Sequence, residues 1–210
     1  MTKKILSIIL ISVSVVAAKA QSFDKKNVAL CYFNVIINSN LEIIPNKAIA
    51  DSIYKEIYGV LNENAGIELK SVDFLKDNVK YFLGYPIGRA KNAAKSKKCN
   101  NYVKIVIDIS PDGIFTTKDA AFTVAGIGKE KKKVNTKIKV GIVMIIYDEN
   151  GEKIKDLQAK ATSKDKIIID SESLLIGDFS FINKKKNDSN FDTFQNILYQ
   201  AAADLANKSN

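Results

Sequence analysis

The chain has 210 residues with a formal charge of +9, is 46% apolar, and contains no histidine. Without histidine, Ser-His-Asp and Cys-His nucleophile activation, histidine general-base catalysis and the usual His-containing zinc sites are excluded. Arg89 is the sole arginine among 32 basic residues, and phosphate and base recognition favour the forked guanidinium, so the charge does not point to nucleic acid.

Lys3 and Lys4, the apolar-biased run Ile5 to Ala18, and Ala18-Lys19-Ala20 follow the three-part plan of a secretory signal peptide cut after Ala20. That run falls short of the roughly eighteen apolar residues that span a bilayer. The expected product is a periplasmic or secreted protein, residues 21–210, forming one α+β domain with no transmembrane span. It keeps a charge of +6 once Lys3, Lys4 and Lys19 are removed. The remaining lysines read as a spread, solvated surface that follows a general bias toward Lys and Asn.

Asn27 to Ile37 is almost continuously apolar, which predicts a central strand covered on both faces. Pro45 and Asn46 start a helix, Ile49, Ile53, Ile57, Val60 and Leu61 recur at helical spacing, and Gly66 ends it. A short strand is expected at Ile67 to Val72, then helical spacing from Asp73 to Leu83 until Gly84, Pro86 and Gly88 break it. A lysine-rich helix, Arg89 to Lys98, leads into the strand Tyr102 to Ile109, and Ser110-Pro111-Asp112-Gly113 has the composition of a tight turn. Ala120 to Ile127 can form a further strand. Val134 to Tyr147 and Lys153 to Thr162, joined by Glu149-Asn150-Gly151, predict a long antiparallel hairpin. Lys166 to Asn190 reads as a short strand plus an irregular excursion, and Phe191 to Leu205 closes the chain as an amphipathic helix. The order predicts a mixed sheet with helices packed on it, parallel neighbours in the first half and antiparallel ones in the second.

Few groups in this sequence point to chemistry. S-x-x-K occurs at Ser22-Lys25, Ser52-Lys55 and Ser163-Lys166, but with lysine this abundant such matches arise by chance. Asp108 with Asp112 and Asp148 with Glu149 are the carboxylate pairs a histidine-free glycosidase could use, and turn formation accounts for both. No D-x-[DN]-x-[DN]-G calcium loop occurs, and Gly126-Ile127-Gly128-Lys129 lacks the leading glycine and the following Ser or Thr of a phosphate loop. No metal or cofactor is therefore expected. Cys31 and Cys99 could pair in an oxidising compartment, or remain buried free thiols. Candidate binding residues are the basic runs Lys129, Lys131, Lys132 and Lys133 and Lys184, Lys185 and Lys186, together with Tyr81 and Tyr85 in an aromatic cluster at a helix end.

Several stretches resemble a group of bacterial envelope proteins: the curli secretion lipoprotein CsgG, the N-terminal domain of TolB, and LpoB-like outer-membrane lipoprotein activators of penicillin-binding proteins. These stretches are the opening strand Val28 to Val35, the helix Ala48 to Leu61, the passage Lys95 to Ile109, the hairpin Ile142 to Ile154 and the final Ala-rich helix. The lipoprotein members carry an acylated cysteine where this chain has Gln21-Ser22, and Ala120 to Lys133 and Lys166 to Asn190 have no counterpart. The resemblance implies a noncatalytic assembly or accessory role in the envelope, with a protein or glycan as partner. The alternatives are a carboxylate or Ser-Lys hydrolase acting on glycan or peptidoglycan, and an anionic lipid or glycan binder working through the lysine loops.

Overall fold

The computed structural model describes residues 23–37, 45–112, 133–170 and 189–210. In chain order the elements are β1 (Val28–Ile37), α1 (Lys47–Ala65), the two-residue strands β2 (Tyr81–Phe82) and β3 (Tyr85–Pro86), α2 (Ala90–Ala94), β4 (Asn101–Asp112), β5 (Lys133–Tyr147), β6 (Lys153–Thr162), β7 (Ile167–Asp170) and α3 (Ser189–Ser209). The fold is α+β. Its main sheet runs β1-β4-β5-β6, with β1 parallel to β4 and the other pairs antiparallel, and β7 pairs with the first residues of β5.

Side chains alternate across a strand, so the sheet presents two faces. On the first lie Phe33, Val35 and Ile37 of β1, Val103, Ile105, Ile107 and Ile109 of β4, and Ile138, Val140, Ile142, Met144 and Ile146 of β5, all buried. α1 and α3 cover this face and touch each other. α1 brings Ile49, Ile53, Ile57 and Leu61, and α3 brings Phe194, Leu198, Ala201 and Leu205 to the same cluster. Each such buried aliphatic side chain contributes roughly 1.5–3 kcal/mol, which makes this layer the main source of stability. α1 ends as its sequence predicts: Asn46 accepts a hydrogen bond from the Ile49 amide at 3.1 Å, and Gly66 takes a left-handed φ of 67° and donates to Asn62.

The second face is covered at one end by residues 72–99. Ala29 and Cys31 of β1 and Tyr102 of β4 pack there against Leu75, Val79, Ala90, Ala93, Ala94 and Cys99. Five stretches differ from the sequence expectation. β1 is the outermost strand rather than a central one; its free edge is covered by single bridges from Leu69 to Val28 and from Ile87 to Tyr32. Ile67 to Val72 contributes only that first bridge instead of a strand. Asp73 to Leu83 forms turns and then β2, because Leu75 and Val79 are pinned on the sheet while Tyr81 and Phe82 pair with Pro86 and Tyr85 around Leu83-Gly84. Finally, β4 runs through Pro111 to Asp112 where a turn is expected. The Ile138 amide points away from β4 to the Ser163 hydroxyl, so the Pro111–Ile138 pair is a non-hydrogen-bonded one. The nitrogen of Pro111 therefore faces the side where β1 has already ended, and its missing hydrogen is not needed. The lysine-rich helix shortens to α2, and the Ala120–Ile127 strand lies outside the described residues.

The β5–β6 hairpin forms as predicted. Asp148 accepts from the Asn150 and Glu152 amides at 2.9 and 2.8 Å, and Gly151 has a φ of 78°. A Cβ on Gly151 would lie 2.7 Å from the backbone of Lys91, so this turn and α2 touch backbone to backbone. Gly151→Ala combines a left-handed φ with that clash, and it is expected to cost at least about 2 kcal/mol, read as a lowered urea midpoint with an unchanged slope.

Candidate functional site

Where residues 87–92 cross in front of β1 and β4 they leave an open cleft of about 750 Å³ on the second face. The sheet supplies Tyr32, Lys104 and Tyr147; the crossing segment supplies Ile87, Arg89 and Lys91. The segment is held there by backbone contacts that small residues permit. Gly88 donates to the Cys31 carbonyl at 3.0 Å, and a Cβ on Gly88 would meet Val79 Cγ1 at 2.5 Å. Lys104 Nζ stands 4.4 Å from the centre of the Tyr32 ring, and Lys91 pairs with Glu152 at 2.9 Å. Arg89 is exposed and makes no ion pair among the described residues. The cleft thus gathers three cations around tyrosine rings, an arrangement that attracts anionic or aromatic groups.

Cys31 sits at a register irregularity of β1 and donates its thiol hydrogen to the Val103 carbonyl at 3.3 Å. Burial pushes this thiol up to about 12 and raises that of Cys99 too. Both are buried free thiols in one cluster. Ellman's reagent is expected to find both cysteines only after denaturation; denatured, unreduced protein with no reactive thiol would show a disulfide instead.

The groups that chemistry could use are occupied by the fold. The Ser163 hydroxyl accepts from the Ile138 amide at 3.0 Å and donates to the Asp165 carbonyl at 2.7 Å, replacing the ladder where the chain detours between β6 and β7. Ser52 and Lys55 are neighbours on α1, and Ser22 lies outside the described residues. Asp148 and Glu149 belong to the hairpin turn, as expected. Asp108 and Asp112 correct the turn reading: both are in β4, four residues apart, about 13 Å along the strand, whereas a glycosidase pair needs roughly 5 to 9.5 Å. Among the described residues no group of three His, Cys, Asp or Glu side chains is placed to hold a metal ion.

Asp108 itself is unusual. Its Oδ1 is buried without a hydrogen-bond partner, opposite Gly141 on one side and Ile36 on the other, and burial raises its carboxyl above the usual 3.8. A raised folded-state value means that stability is lost as pH rises from 3.8 through that value, as the ionised form is penalised only in the folded chain. Asp108→Asn is therefore expected to be more stable than the natural chain at pH 7, with the difference vanishing below pH 3.8, as read by urea midpoints across pH.

Of the binding residues expected from sequence, Tyr85 belongs to the core: it packs on Phe33 with ring centres 4.7 Å apart and donates to Asp51 at 2.7 Å. Tyr81 packs against the second cluster. Lys129, Lys131, Lys132, Lys184, Lys185 and Lys186 lie outside the described residues; Lys133 opens β5 opposite Asp170. Sequence reading missed the Arg89–Lys104 cleft, whose signal is local charge rather than a motif. It also missed Asn101, a buried amide that accepts from the Asp24 N–H at 2.8 Å and donates to the Tyr147 carbonyl at 3.1 Å.

No described helix is long and apolar enough to cross a membrane. No family model matches the chain, and no curated protein sequence does. Among solved structures it is similar to a hypothetical protein of Chlamydia trachomatis, at 13% identity and a TM-score of 0.40 over 88% of this chain and 98% of that one. It is also similar to a neuraminyllactose-binding hemagglutinin homolog of Helicobacter pylori, at 12% identity and 0.39 over 88% and 81%. A third is a lipoprotein of Neisseria meningitidis, at 11% identity and 0.35 over 75% and 96%.

Proposed function

We propose that this chain is an exported, noncatalytic envelope protein that acts by binding a protein partner or an envelope polymer, and that binding takes place at the cleft on the second sheet face. The observation that carries this reading is the contrast between the cleft and the rest of the described molecule. Arg89, Lys91, Lys104, Tyr32 and Tyr147 border an open concavity, while Ser163, Asp148 and Cys31 are committed to hydrogen bonds of the fold. A surface that offers charge and rings without an activated nucleophile suits recognition better than turnover. The leader-like Met1 to Ala20 and the resemblance to envelope assembly proteins support the compartment and the accessory role.

The test is site-specific crosslinking in the native cell. A photoreactive phenylalanine analogue replaces Asn92, an exposed cleft residue, or Tyr199, 48% exposed on α3. The Asn92 position is expected to yield a reproducible envelope adduct that the Tyr199 position does not. Equal adducts at both positions, none at either, or an adduct only with cytoplasmic proteins would sink the reading.

A further inference from the structure

The positive charge of this protein is not spread. Residues 76–104 contain eight basic side chains and Asp77 as their single acid, a net +7, whereas residues 21–210 together carry +6. The rest of that length is thus about neutral, and the whole excess lies in the 29 residues that run from the cover of one end of the second face into the start of β4 and supply much of the cleft lining.

These residues form one surface. The cleft and a neighbouring hollow of about 530 Å³ share Ile87, Arg89 and Asn92 as a common wall. A third hollow joins them through Lys91 and Lys95. Of the nearby acids, Asp77 pairs with Lys98, Asp73 with Lys76 and Glu152 with Lys91, while Glu149 lines the third hollow together with Lys91, Lys95 and Lys97 and is outnumbered there. Lys80, Arg89, Lys95 and Lys97 are exposed and make no ion pair with another described residue. Among the described residues Ile87 is a large hydrophobic side chain left exposed, at 40%, and it lines two of these hollows beside Arg89.

We propose that residues 76–104 form a docking surface for an anionic lipid bilayer. Lysine rather than arginine dominates, so the surface offers diffuse point charges instead of forks that select one oxyanion geometry. Shallow, merging hollows suit a broad array of headgroups better than one small ligand, and the exposed Ile87 beside Arg89 matches the boundary between headgroups and acyl chains. The inference goes beyond the reading above, because the bilayer is neither the protein partner nor the polymer proposed there, and vesicles alone test it.

The experiment is cosedimentation of protein purified from cells expressing the full chain, with phosphatidylcholine vesicles that do or do not contain phosphatidylglycerol as about a third of the lipid. Binding is expected only with phosphatidylglycerol and is expected to weaken steeply between about 0.05 and 0.5 M salt. The combined variant Lys80→Gln, Arg89→Gln, Lys95→Gln and Lys97→Gln changes four exposed, unpaired side chains and is expected to lose at least about tenfold in affinity while keeping the natural circular dichroism and urea midpoint. Removing the same number of charges at Lys55, Lys160, Lys164 and Lys166, which are exposed elsewhere, is expected to change affinity less than about twofold. Equal loss in the two variants, binding independent of phosphatidylglycerol, or loss only when Lys129, Lys131, Lys132, Lys133 and Lys184 to Lys186 are replaced would overturn the proposal. So would retention of dextran sulfate under conditions where the vesicles are not bound, which would reassign the surface to a soluble polyanion.

Discussion

The parallel pairing of β1 with β4 is the constraint from which the rest of the architecture follows. Two parallel neighbours cannot be joined by a tight turn, so the chain between Ile37 and Asn101 must leave the sheet and return. It uses that distance twice over. α1 covers the first face, residues 72–99 then cover one end of the second face, and Leu69, Ile87 and Gly88 seal the outer edge of β1. An almost wholly apolar edge strand, which would otherwise expose an unpaired ladder, is tolerable only because the same crossover returns to bond it.

The cost of that arrangement appears on the second face. Its cover is short: α2 has five residues, and the remainder of the segment is turns and a two-strand ribbon. The segment packs on the sheet through small and aliphatic side chains, and the approach of Gly151 in the β5–β6 turn to the Lys91 backbone, and of Gly88 to Val79 within the segment, marks how little space is left. Exposed lysines on its outer side keep the thin layer solvated, and Lys98 lies over the Phe74 ring. The same geometry therefore produces both the concavity and the accumulation of charge around it.

How much of this could be read in advance depended on whether the deciding contact was local. α1 was legible because Asn46, the Ile49-to-Leu61 stripe and Gly66 are all signals within one element, and the β5–β6 hairpin because Asn150-Gly151 specifies its own turn. Asp73 to Leu83 has helical spacing in Phe74, Leu75, Val79 and Phe82, yet Leu75 and Val79 answer to the sheet and Phe82 to Tyr85 across a ribbon. Pro111 reads as a turn residue, and only the end of β1 two residues earlier in the register explains why it fits a strand. The cleft was invisible for a similar reason: Tyr32, Arg89, Lys104 and Tyr147 come from four separate stretches and carry no common motif. The charge of residues 76–104 was countable from the start; what sequence could not supply was that Lys80, Arg89, Lys91, Lys95, Lys97 and Lys104 line adjoining hollows on the second face.

The opposite border of the sheet has a different character. β6 is its outer strand, and Lys153, Lys155, Asp156, Gln158 and Lys160 are exposed along it while Leu157 and Ala159 turn inward. A second copy that tried to extend the sheet by laying its own β6 alongside would set lysine against lysine and strip water from each of them. One margin of this molecule is thus closed by its own chain and the other is guarded by charge, which favours separate molecules over growth by strand addition.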